Sequence, residues 1–371
     1  MRKTAGIISI LYLFFYFSVC PPLKADQAVE DQDKSKIKEF SDFLQEWNQV
    51  DQSKIEELFR GVSDRDPMET AKYVRHRVNE ARQSQEKWLE EAMIFQGALK
   101  TQPDNQYLLY ESAYFLALSE SRDQAVQILL ELKRKYPECP FDPYLNYSLG
   151  ANYSRLDRPI ESIAYYEKVI PVLENFDSSL IWNMYNDLGN NYQDIKEYEK
   201  SIEAFEQAIQ IDPQQPFPYQ NLGITYQELK EWDKAIEYGQ KAVELESYPA
   251  AHLSLANAYF NHEEYEKAVE QNQLAISLLP GYKEAWLGLG NSYLSLENYT
   301  EAEKAYRKAL EIDPQYVRAW AGLGWLENKL KNYETAVEYL TKALEFEPAD
   351  SFAKAQLQIA SAALANPQAD P

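Results

Sequence analysis

A small residue returns along this chain at a nearly fixed interval. Gly189, Gly223, Ala256, Gly290 and Gly324 stand 34, 33, 34 and 34 residues apart, and their surroundings recur in register. Residues 284–314, EAWLGLGNSYLSLENYTEAEKAYRKALEIDP, carry the pattern in full. Trp286, Leu289, Gly290 and Tyr293 are spaced three and four apart, which places them on one face of a first helix. Ala302, Tyr306 and Ala309 do the same for a second helix, after a tight turn in ENYTEAE. Pro314 ends that helix, because proline cannot continue a helix interior. Gly290 and Ala302 are small where the two helices meet; a larger side chain there overpacks the contact at about 1–3 kcal/mol. Trp286, Tyr293 and Tyr306 are expected to fill the gaps between successive units. Removing one such aromatic costs roughly 3–5 kcal/mol. No single unit of this kind buries its faces alone, so stability comes from stacking neighbours.

Residues 185–213, 219–245, 252–280 and 320–348 are further copies. Residues 146–169 are another, but Gly150 lies 39 residues before Gly189, so the connection around Val172 to Ile181 holds an insertion. Upstream, Ala113, Ala125, Leu132 and Pro137 mark one degenerate copy, and Phe95, Ala98 and Pro103 mark another. The recurring Trp, Leu-Gly, Tyr, Ala, aromatic, Ala and Pro slots resemble the tetratricopeptide repeat. The resemblance implies an all-α fold, a right-handed α-α superhelical solenoid of about eight helix-turn-helix units over residues 72–350. Two degenerate units occupy 72–142 and six strong ones 143–350. Residues 26–71 read as an N-terminal helical cap, with Ile37, Phe40, Leu44 and Trp47 at helical spacing, or else as a partner-docking or dimerising helix. Residues 351–365 read as a solvating C-terminal capping helix and 366–371 as a disordered tail. With only 12 glycines in 371 residues, helix formers dominate throughout.

The first 25 residues read as a secretory signal. Arg2 and Lys3 precede an almost wholly apolar run from Ile7 to Cys20, shorter than the roughly 20 residues of a membrane span. Cleavage after Ala25 is the expected outcome; an uncleaved anchor and a lipidated Cys20 are the alternatives. Export to a periplasmic or extracellular space follows, with no membrane contact beyond this segment. Cleavage removes three cations and takes the net charge from −22 to −25, which repels nucleic acid and anionic membranes. Cys139 would then be the one remaining cysteine, a free thiol or an intermolecular disulfide, with no metal or redox pair.

In the resembled family the first helices line a concave groove that takes polypeptide segments. Facing residues are expected six and three before the small slot, and one and four after it. Those positions give an amide-rich stretch of Asn183, Asn186, Asn190, Gln193, Gln220 and Gln227. They continue as a more apolar stretch of Leu253, Phe260, Leu287 and Leu294, with Asn257, Asn291 and Trp325 just after the slot. An asparagine both donates and accepts, so it can pair with a peptide backbone with little regard to sequence. The same asparagines can also be plain helix-surface residues. A carboxylate clamp of the kind some relatives use needs lysines and arginines, but Asn186, Gln220, Leu253 and Leu287 stand there, which argues against a cytosolic co-chaperone role.

Nothing reads as catalytic or cofactor-binding. His76, His252 and His262 form no metal pair, and no nucleophile-elbow, P-loop or dinucleotide motif occurs. The 46 residues of the N-terminal cap region are too few for a catalytic domain. The expected function is an exported, non-enzymatic scaffold for a protein or peptide partner, in envelope assembly or secretion. An accessory subunit that positions substrate for a separate enzyme and a self-assembling structural protein are the other readings.

Overall fold

The computed structural model describes Phe95, Leu99 and residues 102–118, 121–137 and 142–365. The expected signal segment, the N-terminal cap, most of the first degenerate copy, Cys139 and the tail lie outside these residues. The described residues form 15 α-helices and no strand. Two compact units divide between Glu197 and Tyr198. The first holds α1 (Gln106–Leu118), α2 (Arg122–Lys135), α3 (Asp142–Arg155), α4 (Pro159–Tyr166), a 3-10 segment Ile170–Asn175 and α5 (Ser178–Asp194). The second holds α6 (Tyr198–Ile211), α7 (Pro216–Glu228), α8 (Trp232–Leu245), α9 (Pro249–Asn261), α10 (Tyr265–Leu278), α11 (Lys283–Ser295), α12 (Tyr299–Ile312), α13 (Val317–Lys329), α14 (Tyr333–Phe346) and α15 (Ser351–Ala365). Within each unit, helix hairpins stack in series as in a helical solenoid: α7 packs on α8, α8 on α9, and so on to α14 on α15. First helices also touch first helices, α1 with α3 and α3 with α5, then α7 with α9, α11, α13 and α15 in turn. The insertion expected before Gly189 is the 3-10 segment, which contains the non-helical residue Val172.

Local sequence explains each helix. Pro159, Pro216 and Pro249 stand in the first turn, where a missing N–H costs nothing. In α12 the buried residues are Ala302, Ala305, Tyr306 and Ala309, a single stripe at helical spacing. The Asn298 side chain accepts from the Glu301 N–H and caps its start.

The small slot exists because of one ring. A Cβ on Gly290 would lie 2.6 Å from the fully buried Tyr306 ring, and a Cβ on Gly322 would lie 2.6 Å from the same ring. Tyr306 is therefore clasped between its own first helix and the next one. Tyr166 stands at the same 2.6 Å against Gly150, and Leu340 fills the slot opposite Gly324 at 2.4 Å. Where the ring position holds Asn272 instead, its amide would stand 2.7 Å from a Cβ on Gly288, and the buried Asn272 Nδ2 donates to the Ala268 carbonyl. Side-chain volume is thus traded across the interface, unit by unit.

The turns between consecutive helices share a feature that the sequence hides. Asp157, Lys196, Lys230, Glu263, Glu297 and Lys331, each seven after the slot, have φ between 54° and 64°, and none is glycine. Each terminates its helix in the same way: the following N–H reaches back to a carbonyl five residues earlier, as Asn298 N–H does to Tyr293 O at 2.8 Å.

Two outcomes are expected. Gly290→Ala should destabilise the protein by about 1–3 kcal/mol despite the better helix propensity of alanine, because Tyr306 has Gly322 behind it and cannot retreat. Chemical denaturation measures this, and Tyr306→Leu should relieve part of the cost. Glu297→Gly should stabilise by up to about 1 kcal/mol. A left-handed non-glycine residue costs roughly 1–2 kcal/mol, and the extra chain entropy of glycine returns only part of that. A loss of stability in that variant would refute the strain argument.

Candidate peptide-binding face

The rows expected to face a ligand lie on the first helices, and the structure treats them unequally. In the first unit, Asn183 is exposed, and its Nδ2 donates to the Ser179 carbonyl on its own helix at 2.8 Å. Asn186 and Asn190 are partly buried and already engaged; Gln193 is partly buried. The neighbouring Asn191, which the spacing passed over, is buried and bridges two helices. Its Nδ2 donates to Ser162 Oγ at 2.8 Å and its Oδ1 accepts from Ser154 Oγ at 3.1 Å. Ser162 Oγ in turn donates to the Gly150 carbonyl. A one-residue step along a helix turns the side chain by about 100°, enough to move it from surface to interface.

In the second unit, the glutamines fasten one repeat to the next. Gln220 Nε2 donates to the Ala250 carbonyl at 3.1 Å, and Gln227 Nε2 donates to the Ser254 carbonyl at 3.3 Å. Asn291 Oδ1 accepts from the Tyr306 hydroxyl at 2.8 Å. Leu294 is 3% exposed and packs in the core with Ala302, Tyr306 and Leu323, so it lines no surface. Leu287 is partly buried against the same core, Leu253 is partly buried, and Phe260 packs on Tyr265 with tilted rings whose centroids are 5.4 Å apart. Asn257 differs from all of these: it is exposed and its amide makes no hydrogen bond among the described residues. Trp325 is partly exposed and meets Phe352 of α15 at 5.8 Å, nearly perpendicular.

Aromatic residues at the starts of first helices close the row six before the slot. Phe176 lies with its ring 4.5 Å from Tyr144 and 5.8 Å from Tyr147. Tyr248 lies 5.5 Å from Phe217, and its hydroxyl donates to Gln220 Oε1 at 2.6 Å. Sequence reasoning missed both, although an aromatic residue just before a helix was there to be seen. In the row just after the slot of the second unit, Asn257 and Ile359 are exposed, while Ile224, Asn291 and Trp325 are partly buried.

Charge separates the two helix sets of this unit. The first helices hold only Glu228, Glu284, Glu327 and Lys283, Arg318, Lys329, Lys354. The second helices carry a row of exposed carboxylates at equivalent positions, Glu203, Glu237, Glu270 and Glu338. The open face is therefore amide-bearing, apolar and nearly uncharged inside an acidic protein.

Chemistry-bearing groups elsewhere are tied into the scaffold. Ser247 Oγ meets His252 Nε2 at 2.8 Å, and His252 Nδ1 meets Gln271 Oε1 at 2.8 Å. The order is that of a nucleophile, base and orienter, but the third member is a neutral amide and does not stabilise an imidazolium as a carboxylate would. These bonds fasten the start of α9 to α10. No cluster of three metal-ligating side chains occurs among the described residues. Asp187 is a partly buried carboxylate of the first unit: it accepts from the Tyr166 hydroxyl at 2.9 Å and has Arg155 at 3.7 Å. Burial raises its pKa above the ordinary carboxylate value, and Arg155 and Tyr166 offset only part of that.

A raised folded-state pKa means that this carboxyl favours folding most when protonated. Its contribution is complete at low pH and is lost as pH rises through the folded-state value. Asp187→Asn, which keeps the acceptor for Tyr166, should therefore raise stability at neutral pH, with the gain shrinking as the medium is acidified. Thermal melts across that pH range check the slope; a gain that grows on acidification would contradict it.

Comparison with known proteins agrees with this geometry. Family profiles described as tetratricopeptide repeat match residues 221–283, 284–316 and 305–338, and one described as TPR repeat matches 189–230. No curated protein matches the chain. Among solved structures, the APC/C hetero-tetramer Cut9-Hcn1 is similar at 20% identity and TM-score 0.54, over 74% of this chain and 53% of that one. This chain thus spans about half the length of that relative. A tetratricopeptide repeat protein from Parabacteroides merdae is similar at 18% identity and TM-score 0.55, over 69% of this chain and 98% of that one. MamA protein matches at 30% identity and TM-score 0.40, over 45% of this chain and 92% of that one.

Proposed function

We propose, from the premise that this chain carries tetratricopeptide repeats, that it is an exported, non-enzymatic scaffold whose first-helix face in the second unit holds a polypeptide segment. The carrying observation is the contrast on that face. Gln220 and Gln227 are spent on the neighbouring repeat and Asn291 on Tyr306, while Asn257 keeps a free donor and acceptor in a charge-poor setting. Such a surface recognises backbone and apolar side chains, not charge. Export rests on the positive start and apolar run of residues 1–25. An extracytoplasmic site of action, in envelope assembly or secretion, is part of the same reading.

The test is a photo-crosslinking residue placed in turn at Ile224, Asn257 and Ile359, and as a control at Glu237, in the full chain recovered from its native compartment. Polypeptide adducts should form at the first three sites and not at Glu237. Asn257→Ala should weaken binding of the captured partner about tenfold while leaving the melting temperature unchanged. Affinity should vary less than about twofold between low and physiological salt, since the face has few charges to screen. Adducts confined to Glu237, or binding that collapses with salt, would assign recognition to the acidic second helices instead.

A further inference from the structure

The chain shows what its first helices accept against their opening turn. On α3, Phe176 covers Tyr144 and Tyr147, and on α7, Tyr248 covers Phe217 and Gln220. On α11, Tyr316 receives the Lys283 ammonium 4.8 Å from its ring centre. Each covering residue is an aromatic standing within two positions of the next first helix. On α3 and α7 the socket is therefore an apolar or amide patch, six and three before the slot, closed by a ring that a helix start delivers. Lys283, seven before the slot on α11, is a charged variation on it.

On α15 the matching positions are Phe352 and Ala355, and both are exposed; Phe352 is 44% open. One side of the Phe352 ring rests on Trp325, and Ala355 leaves room beside it. Lys354, Gln358 and Ser361, which take the positions of Trp320, Gly324 and Glu327, are exposed polar residues. In the stripe of Phe352 and Ala355, Ile359 is also 52% exposed. Lys354 is the one charged residue of α15, so no carboxylate on it repels an incoming chain.

We infer that Phe352 and Ala355 form an open socket of the array, and that it takes a partner polypeptide whose helix begins with a tyrosine or phenylalanine. The occupant is defined by internal precedent: an aromatic ring seats on Phe352 over Ala355, and the helix that follows lies along α15 as α9 lies along α7. This docking site rests on Phe352 and Ala355 and not on Asn257.

A fluorescein-labelled peptide of this protein's own residues 247–261, SYPAAHLSLANAYFN, is a suitable probe, titrated into the full chain by anisotropy. Saturable binding is expected, with Kd raised at least tenfold when Tyr248 of the peptide is replaced by alanine, and at least tenfold by Phe352→Ser in the protein. Combining both changes should cost little more than either alone, because each removes the same ring contact. Phe352 is exposed, so the protein variant should melt like the parent. The peptide variant keeps the test decisive even if it does not. Equal affinity for the tyrosine and alanine peptides, or additive losses, would overturn the socket. A concentration-dependent dimer abolished by Phe352→Ser would give the site to a second copy and overturn the assignment to a separate partner.

Discussion

The clasp of one buried ring between two glycine-bearing helices governs the rest of this protein. Tyr306 touches Gly290 in its own unit and Gly322 in the next, so one side chain joins two interfaces. Interiors are close-packed, and volume at one position is conserved only by exchange with its neighbours. The series shows that exchange. Large Tyr166, Tyr306 and Leu340 face glycines, whereas Gly239, which meets Gly223, is itself met by Leu255 of the next first helix. Each repeat is a local solution to one packing problem, and stacking propagates it.

Packing of this kind also sets the turns. For the second helix to return onto the first at so short a distance, the chain must reverse within a few residues. The reversal is made by a left-handed residue seven after the slot, whichever residue stands there. Lys230, Glu297 and Lys331 are poor choices on intrinsic grounds and are held by the helices on either side. The local sequence pays for nothing here; the interface imposes the conformation.

Much of the architecture was legible beforehand. The period, the small slot, the aromatic slots and the proline stops identify helices and their pairing, because residues three and four apart must share a face. The insertion before Gly189 was legible as a break in the period. The candidate face was legible only in outline. Spacing says which residues point away from a helix's own partner, but not what approaches from the next repeat. Gln220 and Gln227 were therefore read as ligand-facing, and they are bonded to carbonyls of α9. Leu294 was read as groove surface and lies in the core, and Asn191 was passed over although it bridges helices.

The sequence by itself determined the repeat, its register and the helical class, since these follow from periodicity along one chain. Only the tertiary structure decided which polar groups remain free. Asn257 and Asn291 occupy the same slot, yet Asn257 is open and Asn291 accepts the Tyr306 hydroxyl. The difference lies 15 residues away along the chain, in the identity of the side chain that folds back across the slot: a tyrosine reaches Asn291, and no such ring stands over Asn257. Hydrogen-bond satisfaction is a property of neighbours in space, and periodicity along a helix does not contain it.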